Sequence, residues 1–63
     1  MNQDEIDEVI SQHKLWIGDP SKGRKANVSY EDISRRNLAN AILIEASLRG
    51  SQLYKTNLSN SNL

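Results

Sequence analysis

The sequence predicts an amphipathic N-terminal helix followed by a short solenoid, a chain wound with short sides around one apolar interior. Three observations carry this reading. Leucine recurs at 38, 43, 48, 53 and 58, one every five residues; residues 3–17 carry apolar side chains at helical spacing instead; and "GDPSKGRK", between the two, is a loop by its turn chemistry.

The helix comes first. Ile6, Val9, Ile10, His13 and Ile17 fall on one side, Asn2 stands where an N-cap would, and Asp4, Glu5, Asp7 and Glu8 occupy the first turns, where the helix dipole favours carboxylates. One face is apolar and the other acidic. Gly18, Pro20, Ser21 and Gly23 then end the segment.

Neither regular backbone explains the leucines that follow. At about 100° per residue a five-residue step places successive side chains some 140° apart on a helix, so no stripe forms. In a flat strand an odd step alternates faces, and half the leucines would meet water. A chain that turns after every fifth residue sends each of them to one shared interior. The register extends both ways, through Val28, Ile33, Leu38, Leu43, Leu48, Leu53, Leu58 and Leu63. Two residues before each stand Ala26, Glu31, Arg36, Ala41, Ala46, Ser51, Thr56 and Ser61, mostly small, and Asn or Asp fills the position between at 27, 32, 37, 57 and 62.

These units (ANVSY, EDISR, RNLAN, AILIE, ASLRG, SQLYK, TNLSN and a truncated SNL) resemble the pentapeptide-repeat family, and the leader "HKLWIGDPSKGRKANV" is similar to the segment that precedes the first coil in many members. The resemblance implies a β solenoid, specifically a short right-handed quadrilateral β-helix of about two coils with an N-terminal amphipathic α-helical cap. Residues 1–25 would form helix and loop and 26–63 the coils, with four units per coil. Stacked neighbours are then twenty residues apart: Val28 on Leu48, Ile33 on Leu53, Leu38 on Leu58 and Leu43 on Leu63, with Asn37 over Asn57 and Asn40 over Asn60 as side-chain ladders. Glu31 and Arg36 take inward positions in the first coil, where charge is costly, and are expected at the N-terminal rim, paired or directed outward. Ile6, Val9, Ile10, Leu15, Trp16 and Ile17 are expected to lie over that coil.

Sixty-three residues make one small domain with little core of its own. Without cysteine, neither a disulfide nor a thiolate metal site is possible. The start "MNQDEIDEVISQ" lacks a basic region followed by an apolar run, and no stretch approaches a membrane span, so a cytoplasmic protein is expected. Formal charge is zero but divided. Residues 1–20 set Asp4, Glu5, Asp7, Glu8 and Asp19 against Lys14, a net of −4, and residues 21–63 set seven cations against Glu31, Asp32 and Glu45, a net of +4.

The residue pattern offers no catalytic, cofactor-binding or metal site, and no enzyme is expected. His13 is the only histidine and lies on the apolar side of the helix, where packing and hydrogen bonding are its expected work. "GDPSKGRK" spaces its glycines like a phosphate loop, but Arg24 and Lys25 replace the required Lys and Ser/Thr. The glycosylation patterns at Asn27 and Asn57 are by-products of the repeat.

What remains is surface. The chain stops at Leu63 within a unit, so Leu48, Leu53, Leu58 and Leu63 and a rim of unpaired edges are expected to be uncovered, and Ile42 and Ile44 are forced outward beside them. The expected function is a noncatalytic interaction or scaffold module. It would bind a protein, foremost a second copy in a dimer through the C-terminal coils, by way of Ile42, Ile44, Tyr54, Leu58, Asn62 and Leu63. Membrane and small-molecule partners are not expected. The basic patch of Lys22, Arg24, Lys25, Arg35 and Lys55 reads as a solvated face rather than a nucleic-acid site. The alternative is a small inhibitor, of the bacterial or phage kind, that binds a nucleic-acid-processing enzyme through the acidic helix (Asp4, Glu5, Asp7, Glu8) or the basic coil side. Some longer family members imitate duplex DNA in this way with a long acidic coil, whereas the coil here is short and basic.

Overall fold

Asn2 starts the one helix by satisfying two orphan donors at once. Its side chain accepts the Glu5 N–H at 2.8 Å and the Glu5 carboxylate accepts the Asn2 N–H at 2.9 Å, a complete capping box. In the computed structural model, which describes all 63 residues, this helix, α1, spans Gln3–Gly18. It stops where Asp19 turns to extended backbone and donates to the Leu15 carbonyl at 3.0 Å, with Pro20 unable to continue it. The loop then folds on Asp19, whose carboxylate accepts the Ser21 N–H and hydroxyl at 3.0 and 2.8 Å.

From Ala26 the chain turns every five residues. Seven turns are each closed by an N–H donating three residues back at 3.0–3.2 Å, from Glu31 to Val28 through Ser61 to Leu58. The third residue of every turn has a positive φ, between +55° and +69°: Tyr30, Arg35, Asn40, Glu45, Gly50, Lys55 and Asn60. That combination is the type II turn. Asn and Gly suit the left-handed position; Tyr30, Arg35, Glu45 and Lys55 hold it against their own preference because the coil fixes it.

Twenty residues after each unit the chain returns alongside itself. Asn27 pairs with Ser47, Asp32 with Gln52, Asn37 with Asn57 and Ile42 with Asn62, all parallel, which is the predicted register. Eleven backbone hydrogen bonds of 2.7–3.1 Å join the two layers. Each pairing is an isolated bridge, because every segment bends before a second pair can form. The expected β character therefore appears without a continuous strand or sheet. The expected Asn37–Asn57 side-chain ladder is also absent. Asn27, Asp32, Asn37 and Asn57 each accept the N–H two residues ahead at 2.9–3.0 Å, bracing their own turns instead.

Val28, Ile33, Leu38, Leu43 and Ala41 are buried in the first layer with Ile6 of α1, and Val9, Ile10, Leu48 and Leu58 pack on this cluster. The inward hydroxyls are satisfied within the coil: Ser51 and Ser61 donate to the Leu48 and Leu58 carbonyls at 2.7 and 2.6 Å, and Thr56 donates to the Ile33 carbonyl at 2.8 Å. The helix covers less of the coil than expected. Leu15 is 51% exposed and Ile17 36%, because only the side carrying Ile6, Val9, Ile10 and His13 meets the first layer.

Two aspartates tie this fold to pH. Asp32 is held below the ordinary aspartate range by the Ser34 hydroxyl and N–H, and Asp19 by the Ser21 N–H and hydroxyl. A depressed carboxylate stabilises the fold above its unfolded pKa, and the contribution is lost as pH falls through the folded value. Thermal melts should therefore show stability declining on the acid side of the ordinary aspartate range. Asp32→Asn keeps the turn acceptor, as Asn27 and Asn37 do, and should flatten that decline.

Candidate interaction surface

A stacked coil has two edges, each a row of backbone donors and acceptors that wants a neighbour. The chain treats them differently. At the N-terminal edge Met1 and α1 supply substitutes for part of the missing layer. The Gln3 carboxamide accepts the Asn37 N–H and donates to the Asn37 carbonyl, both at 2.8 Å, imitating a bridged residue. The Met1 ammonium donates to the Asp32 carbonyl at 2.9 Å, and the Met1 carbonyl accepts the Arg36 Nε–H at 2.9 Å. Arg36 thus lies half-buried against Met1 while Glu31 is exposed, so the two charges avoid the interior, directed outward rather than paired with each other.

His13 ties the start of the coil to its fourth side. Its side chain has no exposed surface; Nδ1 accepts the Ala26 N–H at 2.9 Å, which leaves Nε2 as the donor to the Ile44 carbonyl at 2.7 Å. The ring stacks on Trp16 at 5.5 Å, and the Lys25 ammonium lies 5.7 Å from the centre of the Trp16 ring. Both histidine nitrogens are committed to backbone, so neither is free for a metal or a proton transfer. Gln3 and Met1 were invisible as cap residues in the sequence, where a long polar side chain near a helix start carries no signal for a distant backbone partner.

The second layer presents the opposite edge. The N–H groups of Leu48, Gly50, Leu53, Lys55, Leu58 and Asn60, and the carbonyls of Ala46, Ser51, Thr56 and Ser61, occupy the positions that join layers one coil earlier, and here they have no partner within the chain. Leu53 is 40% exposed and Leu63 67%, while Leu48 and Leu58 are half-buried against the core. Ile42 and Ile44, over a third exposed, stand on the outer side of the unit that ends beside Asn62. The edge belongs to the second layer and the isoleucine strip to the first. Tyr54 belongs to neither.

Tyr54 instead gathers the basic residues of the coil side. The Arg35 guanidinium and the Lys55 ammonium lie 5.5 and 5.4 Å from its ring centre. Lys22, Arg24 and Lys25 sit apart in the exposed loop. The acidic helix face is largely occupied with local work: Glu5 in the capping box, Asp7 accepting from Gln3 at 3.0 Å and Glu8 from Gln12 at 3.1 Å. Asp4 is exposed. The largest concavity, about 580 Å³ and open, lies against Ser11, Lys14, Leu15, Gly18, Asp19 and Lys22. Its one carboxylate already holds Ser21.

A family model described as "Pentapeptide repeats (8 copies)" matches residues 32–63. The chain belongs to the pentapeptide-repeat family. No curated protein and no solved structure matches it. As a pentapeptide-repeat chain it belongs to a group of generally noncatalytic repeat modules. The matched range opens at Asp32, yet the Asn27–Ser47 bridge places the unit before it in the same coil. No helix is long and apolar enough to cross a membrane.

Proposed function

We propose that this chain is a noncatalytic protein-interaction module, that residues 26–63 form a right-handed quadrilateral β-helix of about two coils, and that its working surface is the open edge of the second coil flanked by Ile42 and Ile44. The observation that carries the proposal is the asymmetry of the edges. The first-coil edge is taken in part, at Asp32, Asn37 and Ile44, by Met1, Gln3 and His13, and the second-coil edge keeps its donors and acceptors without a partner in the chain, with Leu53 and Leu63 exposed. An edge carrying both donors and acceptors is self-complementary, which suits a second copy as its partner.

The test is the mass in solution of the parent and of an Ile42→Lys, Ile44→Lys variant. Both isoleucines are over a third exposed and are not members of the buried cluster, so the variant should fold. The parent is expected at twice its 7.1 kDa and the variant as a monomer, since two charges per copy would have to be desolvated at the contact. A parent that stays monomeric at high concentration contradicts the self-association reading, and a variant that dimerises like the parent removes the isoleucine strip from the surface.

A further inference from the structure

We infer that Tyr54, with Arg35 and Lys55 against its ring, is a docking point for an acidic segment of a partner protein, an extended stretch that sets one carboxylate on each cation. The inference keeps the reading of the chain as an interaction module. It uses a side of the coil, so it depends neither on the open edge nor on self-association.

This side is built against the preference of the fold. Arg35 and Lys55 both hold the left-handed turn position, with φ of +64° and +55°, where a long side chain strains the backbone. They are also twenty residues apart, so they follow one another in adjacent layers whose backbones lie about 4.8 Å apart, and like charges set opposite each other repel. In the other two-layer turn columns no like charges meet: Tyr30 is followed by Gly50 and Asn40 by Asn60. Strain and repulsion at one place, with nothing in the packing that requires either, point to a role outside the fold.

The two head groups have a ring but no anion. The Arg35 guanidinium and the Lys55 ammonium lie 5.5 and 5.4 Å from the centre of the exposed Tyr54 ring, whose electron-rich face offsets part of their repulsion. Asp32, on the same side, accepts the Ser34 N–H at 3.0 Å, and Arg36 next to it gives its Nε–H to Met1. A tyrosine beside an arginine is the composition of an interface hot spot.

Charge and spacing select the occupant. Alternate side chains of an extended segment share a face about 6.5 Å apart, which allows one carboxylate per cation with the segment lying over Tyr54. A nucleic-acid strand suits the side less well, because Glu31 and Asp32 belong to it and repel a run of phosphates, while Lys22, Arg24 and Lys25 stand apart in the loop. The α1 of a second copy suits it less well too, since Glu5, Asp7 and Glu8 already accept hydrogen bonds near the helix start.

Fluorescence anisotropy with a labelled peptide of alternating Glu and Ser tests the site. The parent should bind it at low salt, release it as salt rises, and prefer it by about tenfold or more to the Gln–Ser counterpart. The decisive variant is Arg35→Asn, Lys55→Asn, which places at both turns the residue already present at Asn40 and Asn60. It should melt at or above the temperature of the parent while its affinity for the peptide falls by about tenfold or more. Tyr54→Ala should weaken binding with both cations in place. A parent that does not distinguish the two peptides, or a double variant that binds as the parent does, overturns the site. A double variant that melts well below the parent overturns the argument from strain. An oligothymidylate that binds the parent more tightly than the Glu–Ser peptide, and the double variant not at all, overturns the partner class. The mass of the same samples keeps this inference apart from the edge reading. A monomer that binds the peptide leaves the docking point standing without self-association, and a dimer that does not bind it does the reverse.

Discussion

Gly23→Ala is expected to destabilise the chain by about 3 kcal/mol or more in urea or thermal denaturation. Two independent effects combine there. Gly23 has a φ of +65°, where a side chain strains the backbone. A Cβ at that position would also stand 2.2 Å from the Gln12 carbonyl oxygen and 2.7 Å from the Leu15 Cβ. The obstacle is helix backbone, which cannot swing aside like the tip of a side chain. The close approach has a structural purpose, because the adjacent Arg24 N–H donates to that same Gln12 carbonyl at 3.1 Å and so pins the loop along α1 and sets the start of the coil. Gly18 is the internal control. It lies at the helix end, has no positive φ, and an added Cβ meets nothing within 4 Å, so Gly18→Ala should be neutral or stabilise by up to about 1 kcal/mol.

His13→Phe should cost a similar amount, about 2–5 kcal/mol, although it preserves most of the ring volume. The loss is in hydrogen bonding. The Ala26 N–H and the Ile44 carbonyl would both be left facing an apolar ring in a site without solvent access. The damage should also be local before it is global, with amide exchange rising first at Ala26 and the Trp16 emission shifting as its stacking partner moves. A variant that melts with the parent would mean that the two backbone groups find other partners and that His13 contributes by packing alone.

Much of this architecture could be read from residue types at fixed spacing. The five-residue apolar period excluded both regular backbones, and the twenty-residue stacking that the pentapeptide-repeat resemblance implied is present in all four bridges. Asn2 announced the helix start because capping is local chemistry, complete within four residues. The turn conformation was visible only at Asn40, Gly50 and Asn60, whose side chains suit a positive φ; at Tyr30, Arg35, Glu45 and Lys55 the coil overrides local preference. Leu15 and Ile17 were expected on the coil because apolar residues at a helix end look alike whether covered or not; coverage depends on where the helix crosses its partner, which spacing does not record. The edge caps were illegible for the same reason. Gln3 reaches Asn37 and His13 reaches Ile44 across more than thirty residues, contacts that exist only once the coil has closed.

The account turns on one edge being partly covered by α1 and the other open, and amide hydrogen exchange at several protein concentrations reads both at once. The amides of Val28, Ile33, Leu38 and Leu43, which donate between layers, and that of Asn37, held by Gln3, should be protected at every concentration. Those of Leu48, Leu53 and Leu58 should exchange freely in dilute solution and become protected as copies pair. If those three amides exchange freely at all concentrations while the first set stays protected, the open edge receives no partner and the proposed working surface is contradicted.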